Sequence, residues 1–173
     1  MEHVNLWLHL VAATVWVGPQ FFLFLATMPS LRAIEDRETR LRVLRVTTRR
    51  FGWMALAALV VLVATGVENL RDARKDGFDI YNGDFRYVWV FTAKMGLLTL
   101  AVLATALHAL VIGPRQLRLQ EQALAADNAG AAADAARLRK LSAIMASVAL
   151  LASLGILFAA ALLADHSYSF QRV

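Results

Sequence analysis

Leu141-Ser-Ala-Ile-Met-Ala-Ser-Val-Ala-Leu-Leu-Ala-Ser-Leu-Gly-Ile-Leu-Phe-Ala-Ala-Ala-Leu-Leu-Ala164 runs without a charged residue between Lys140 and Asp165. A bilayer core about 30 Å thick takes ~20 such residues as a helix, so this stretch reads as a transmembrane span. Similar runs occur at about Val4 to Thr27, Phe51 to Leu70 and Val88 to Ile112. The expected fold is therefore all-α, a polytopic membrane four-helix bundle forming a single transmembrane domain. Hydrophobic residues make up 59% of the chain, above the ~45–50% of soluble domains, which points the same way.

The first apolar run begins almost at Met1, without a basic leader or a small-residue cleavage site, and reads as a retained helix. The net charge of +5 is carried by the connecting segments, so lipid headgroups rather than nucleic acid are its expected partners. A first loop, Met28 to Arg50, carries Arg32, Arg37, Arg40, Arg42, Arg45, Arg49 and Arg50. A third, Gly113 to Lys140, carries Arg115, Arg118, Arg137, Arg139 and Lys140. The positive-inside rule places both in the cytoplasm. The second loop, Arg71 to Tyr87, has no basic excess, because Asp72, Asp76, Asp79 and Asp84 oppose its cations. It belongs outside, together with the N-terminus and the C-terminus, and the expected location is the bacterial inner (cytoplasmic) membrane. Trp7, Trp89, Tyr81, Tyr87 and Tyr168 fall at the outer interface and Trp53 at the inner one, where amphipathic rings settle. The Ala-rich stretch Gln120 to Arg139 reads as helical extensions broken near Asp127, Asn128 and Gly130.

Within these spans Lys94 is the formally charged residue that lies well inside, Glu68 standing two residues from the end of the second. An ammonium at a helix centre costs about 2.5–3.5 kcal/mol on insertion scales, so Lys94 needs either a partner or an aqueous exit. It lies ~9 Å below the outer surface, within reach of the headgroups by snorkelling. His9 lies ~7 Å below the same surface, so the two share a level. On the first helix Trp16 and Gln20 each fall within roughly 20° of His9, with Asn5 and Thr27 near the same stripe. Lipid rejects such a face, which should turn toward protein. Pro19, inside this helix, cannot donate to the carbonyl of Val15, and a kink is expected there. On the third helix Lys94, Ala101, Thr105 and His108 lie within about 40°. His108 sits near the cytoplasmic end, roughly 15–20 Å from His9 along the membrane normal, too far for both to ligate one haem. A lone membrane histidine also serves as hydrogen-bonding glue between helices.

His3 and His166 stand at the outer ends of the first and fourth helices, either solvated or able to join His9 in a metal site. Cysteine is absent, so any metal must be held by His, Met, Lys or oxygen. Met28, Met54, Met95 and Met145 are scattered and read mainly as packing. Hydrolytic motifs and phosphate loops do not occur in the sequence.

The string Leu8-His9-Leu10 followed by Trp16-Val17-Gly18 resembles the first helix of the copper-resistance D (CopD) family. The resemblance continues through Arg49-Arg50-Phe51, Thr65-Gly66, Lys94 and His108 with Ile112-Gly113-Pro114-Arg115, over nearly the whole chain. The layout is also similar to the HemJ membrane protoporphyrinogen oxidases, which bind b-type haem. That likeness implies a haem-binding redox protein with His9 as axial ligand, Lys94 as second ligand, propionate partner or proton carrier, and Trp16, Gln20 and His108 around the cofactor. Copper is the alternative the resemblance implies, with His3, His9, His166 and Met95 at an outer entry and His108 at an inner exit. A third expectation is a noncatalytic accessory subunit of a larger membrane complex. Small residues of the fourth helix, Ala146, Ser147, Ala152, Ser153 and Gly155, suit close helix contacts, including those of a homodimer.

Overall fold

Four apolar helices separated by charged segments leave the backbone one way to satisfy its polar groups in lipid, and the structure takes it throughout. The computed structural model describes residues 2–75, 86–125, 129–169 and 171, and among them there is no strand. Helix α1 (Glu2–Phe22) passes through a five-residue π turn (Leu23–Thr27) into α2 (Met28–Arg32). Helix α3 covers Arg37–Lys75. Helix α4 (Arg86–Leu107) passes through a second π turn (His108–Ile112) into α5 (Gly113–Ala125). Helix α6 (Ala129–Ala164) and the short α7 (His166–Ser169) complete the order.

The 4 stretches long and apolar enough to cross a membrane are His3–Arg32, Arg37–Arg71, Arg86–Ala123 and Gly130–Ala164. The most apolar window of each is only 11% to 22% buried within the protein. Its large side chains, among them Leu25, Leu110, Leu151 and Phe158, face outward, which is stable only where the solvent is itself apolar. The chain is thus an all-α, multi-pass integral membrane protein.

The helices are longer than the apolar runs that announce them. Most of the segment Met28 to Arg50, expected as a loop, is helical: α2 ends at Arg32 and α3 begins at Arg37. Hydropathy marks where the bilayer ends, whereas helices end where capping or turn residues stop them. Between Arg37 and Phe51 there is neither Gly nor Pro, arginine is a good helix former, and Arg42 pairs with Glu38 at 3.0 Å one turn away. Asp36 marks the break. Its carboxylate accepts the N–H of Thr39 at 2.9 Å and of Glu38 at 3.3 Å, capping α3. The Ala-rich segment is helical as expected, in α5 and the start of α6, and Asp127 and Asn128 lie outside the described residues.

Both π turns stop one residue short of a proline. Met28 N–H bonds the carbonyl of Leu23 ahead of Pro29, and Gly113 N–H bonds that of His108 ahead of Pro114. A proline ring crowds the carbonyl four residues back and supplies no N–H, and widening the preceding turn relieves both problems. Pro19, where the kink was expected, lies within α1.

The chain divides into two compact units, Met1–Ala93 with Ala159–Val173, and Lys94–Phe158. In the first, α1 and α3 pack antiparallel around Trp16, Val17 and Ala58, with Ala55, Leu59 and Leu62 against them. The beginning of α4 meets the C-terminal segment in the same unit. There Arg86 N–H bonds the carbonyl of Gln171 at 3.0 Å, and its guanidinium lies 5.0 Å from the Tyr168 ring centre. In the second unit α4 and α6 are antiparallel. His108 meets Ser142, and a Cβ added at Gly155 would stand 2.8 Å from Cδ1 of Leu97. Gly155 therefore sets how closely the backbone of α6 approaches α4.

Gly155→Val is expected to destabilise the second unit by about 1–3 kcal/mol through overpacking, read by thermal melting in detergent. Adding Leu97→Ala should restore most of the loss, and failure to do so would place the clash elsewhere. Hydrogen bonds from the Thr39 hydroxyl and N–H hold the Asp36 carboxyl below the usual aspartate range. A lowered folded value means the cap's contribution is complete above the ordinary aspartate pKa of about 3.9 and is lost as pH falls through the folded value. Hydrogen exchange at Thr39 and Arg40 should accelerate in that acid window. Asp36→Asn should keep the protection and lose its pH dependence, and Asp36→Ala should lose protection at every pH.

Candidate functional site

Asn5 and His9 lie one turn apart on α1, and Thr65 and Asn69 lie one turn apart on α3. Because the helices run antiparallel, the two pairs face each other and form a polar ladder in a surrounding that is otherwise apolar. Asn5 Nδ2 donates to Asn69 Oδ1 at 2.6 Å and to the Thr65 carbonyl at 3.1 Å. His9 Nδ1 stands 2.7 Å from Thr65 Oγ1. The Thr65 hydroxyl stands in turn 2.6 Å from the carbonyl of Val61.

Two assignments satisfy this chain of bonds. With the Thr65 proton on the Val61 carbonyl, His9 donates from Nδ1; with that proton turned to Nδ1, the ring carries its hydrogen on Nε2. Thr65 is buried, so either bond joins α1 to α3 away from bulk solvent. Gly66 lies beside the ring: a Cβ added there would sit 3.6 Å from His9 Cε1, ordinary contact distance.

Toward the middle of the membrane the same face of α1 presents Ala12 and Trp16, both buried, and then Gln20, which is half-buried. Gln20 Nε2 donates to the carbonyl of Trp16 at 3.1 Å. Asn5, His9 and Trp16 of the stripe therefore lie against α3, with Gln20 bonded back to α1 below the indole. A histidine hydrogen-bonded at one ring nitrogen beside an apolar wall can act as a ligand to a metal or haem iron.

Lys94, half-buried on α4, and His108 belong to the second unit. His108 opens the second π turn, its Nδ1 3.2 Å from Ser142 Oγ on α6, which is the helix-bridging role a lone membrane histidine often has. His3 is exposed, and the side chain of His166 lies outside the described residues. Among the described residues no group of three or more His, Cys, Asp or Glu stands close enough to hold a metal ion.

The sequence singled out His9, Trp16 and Gln20 as candidates but passed over Asn69 and gave Thr65 no partner. The available signal was the spacing of Thr65 and Asn69, two polar residues one turn apart near the end of an apolar helix. Ser142, which meets His108, had no such companion to mark it.

No curated protein and no solved structure matches this chain. The domain of unknown function DUF4149 matches residues 11–125, a stretch that includes Trp16, Gln20, Thr65, Asn69, Lys94 and His108, and the chain belongs to that family.

Proposed function

We infer that this chain is a membrane redox protein whose His9 ligates the iron of a b-type haem. The observation that carries the reading is the 2.7 Å contact of His9 Nδ1 with Thr65 Oγ1, and the reading assigns the hydrogen to Nδ1 and the ligating role to Nε2. Haem-ligating histidines are held this way, since a hydrogen bond at one nitrogen fixes the ring and raises the basicity of the other. Trp16, buried below His9 on the same face, supplies an apolar wall of the kind that tunes a haem potential. Gly66, beside the ring, adds no side chain of its own there. The resemblance of the His9 to Trp16 interval to the HemJ family suggests the same cofactor. Bound there, haem would supply one-electron chemistry, His9 would hold it, and Thr65 would orient the imidazole. Haem asks one imidazole of the protein, which His9 provides. A copper site asks for several donors, and the expected set includes His166, whose side chain lies outside the described residues.

Purified protein from cells with adequate haem supply is expected to show a Soret band. His9→Ala should abolish it. Thr65→Val should weaken haem retention by about 10–100-fold while Thr65→Ser restores it, the range typical of outer-shell partners. A preparation without a Soret band, or a band indifferent to His9→Ala, would overturn the assignment.

The same reading sets the protein in a bacterial inner membrane with its arginine-rich arms in the cytoplasm and both termini outside. Because the chain has no cysteine, single substitutions report sidedness directly. Gln171→Cys should react with a membrane-impermeant maleimide in intact spheroplasts, and Thr39→Cys only after lysis. The reverse pattern would invert the topology.

A further inference from the structure

Between Arg37 and Arg50 the arm of α3 carries arginines at 37, 40, 42, 45, 49 and 50 against a single acid, Glu38. Four residues of this region, Arg42, Val46, Arg49 and Trp53, follow one another at helical spacing and lie on one face. Val46 is 47% exposed and Trp53 66% exposed, so an apolar side chain lies between two guanidinium groups and an indole sits at their foot. Arginine above an exposed interfacial tryptophan is the pattern of a surface seated among lipid headgroups.

Beside this face the protein is grooved. A depression of about 250 Å³ is lined by Arg42, Val43, Val46 and Thr47. A second, of about 240 Å³, lies between α3 and the π turn of the first span, with Phe22, Ala26, Leu31, Ile34 and Val43 in its wall. Val43 lines both depressions, and the wall of the second extends to Phe22 and Ala26 of the first span, with Thr27 and Ser30 among them. The pairing of Arg42 with Glu38 is an exposed one-turn ion pair, too weak in water to withhold the guanidinium from a phosphate.

We propose that this surface binds an anionic phospholipid, its phosphate held by Arg42 and Arg49 and an acyl chain lying along the groove that passes Val43. Charge and shape agree on this occupant. A soluble polyanion would satisfy the arginines but has no use for an apolar groove, and a zwitterionic lipid would fill the groove without answering the excess of positive charge.

The test is native mass spectrometry of the full-length protein released from detergent containing equal amounts of phosphatidylglycerol and phosphatidylcholine. The wild type should retain phosphatidylglycerol preferentially. Arg42→Gln with Arg49→Gln should reduce that preference about tenfold or more, and the matching lysine pair should keep most of it. Val43→Asp, which puts a carboxylate in the groove, should also lower retention. Equal retention of the two lipids by the wild type would overturn the proposal without reference to any variant. So would an unchanged preference in a correctly helical Arg42→Gln, Arg49→Gln protein, or displacement of the bound lipid by inorganic phosphate alone.

Discussion

A ladder of hydrogen bonds from Asn5 and His9 to Thr65 and Asn69 joins α1 to α3. In water such bonds contribute little, since solvent competes for both partners. Within a bilayer that competition falls away, so the same bonds hold two helices together. On the proposed assignment the Thr65 proton goes to the Val61 carbonyl and His9 donates from Nδ1. Asn5 extends the ladder by one turn, giving α1 and α3 a register that their apolar contacts around Trp16 and Ala58 alone would specify weakly.

The rest of the structure answers the bilayer as solvent. Large aliphatic and aromatic side chains lie on the outside, and small ones, including Ala101, Ala104, Ala152 and Ser153, lie within. Without a hydrophobic drive to bring helices together in lipid, close backbone approach provides the attraction, as Leu97 shows against Gly155. Beyond the membrane the helices continue, and arginines replace apolar residues on the arm of α3 without interrupting it. The two π turns absorb the disturbance of Pro29 and Pro114 while leaving each chain helical on both sides.

The helical class and the four spans were legible because each rests on runs of residues longer than any turn. Where the helices stop was less so, since hydropathy reports the change of solvent at Phe51 and not the capping carboxylate of Asp36, well upstream. The inward stripe His9, Trp16 and Gln20 was legible from angle alone. Its partners Thr65 and Asn69 were not, because counting residues along α1 gives a depth and a direction but never names the facing residue. For the same reason the helix-bridging role of His108 could be set out as an option in the sequence, but Ser142 emerged only from the packing of α6 on α4.

The proton position proposed for His9 is read directly by the nitrogen spectrum of protein labelled at histidine and reconstituted in lipid. With haem withheld, His9 should show a protonated Nδ1 and a bare Nε2, and Thr65→Val should release that preference. A wild-type spectrum with the hydrogen on Nε2 would contradict the account, since the nitrogen offered to iron would already be occupied.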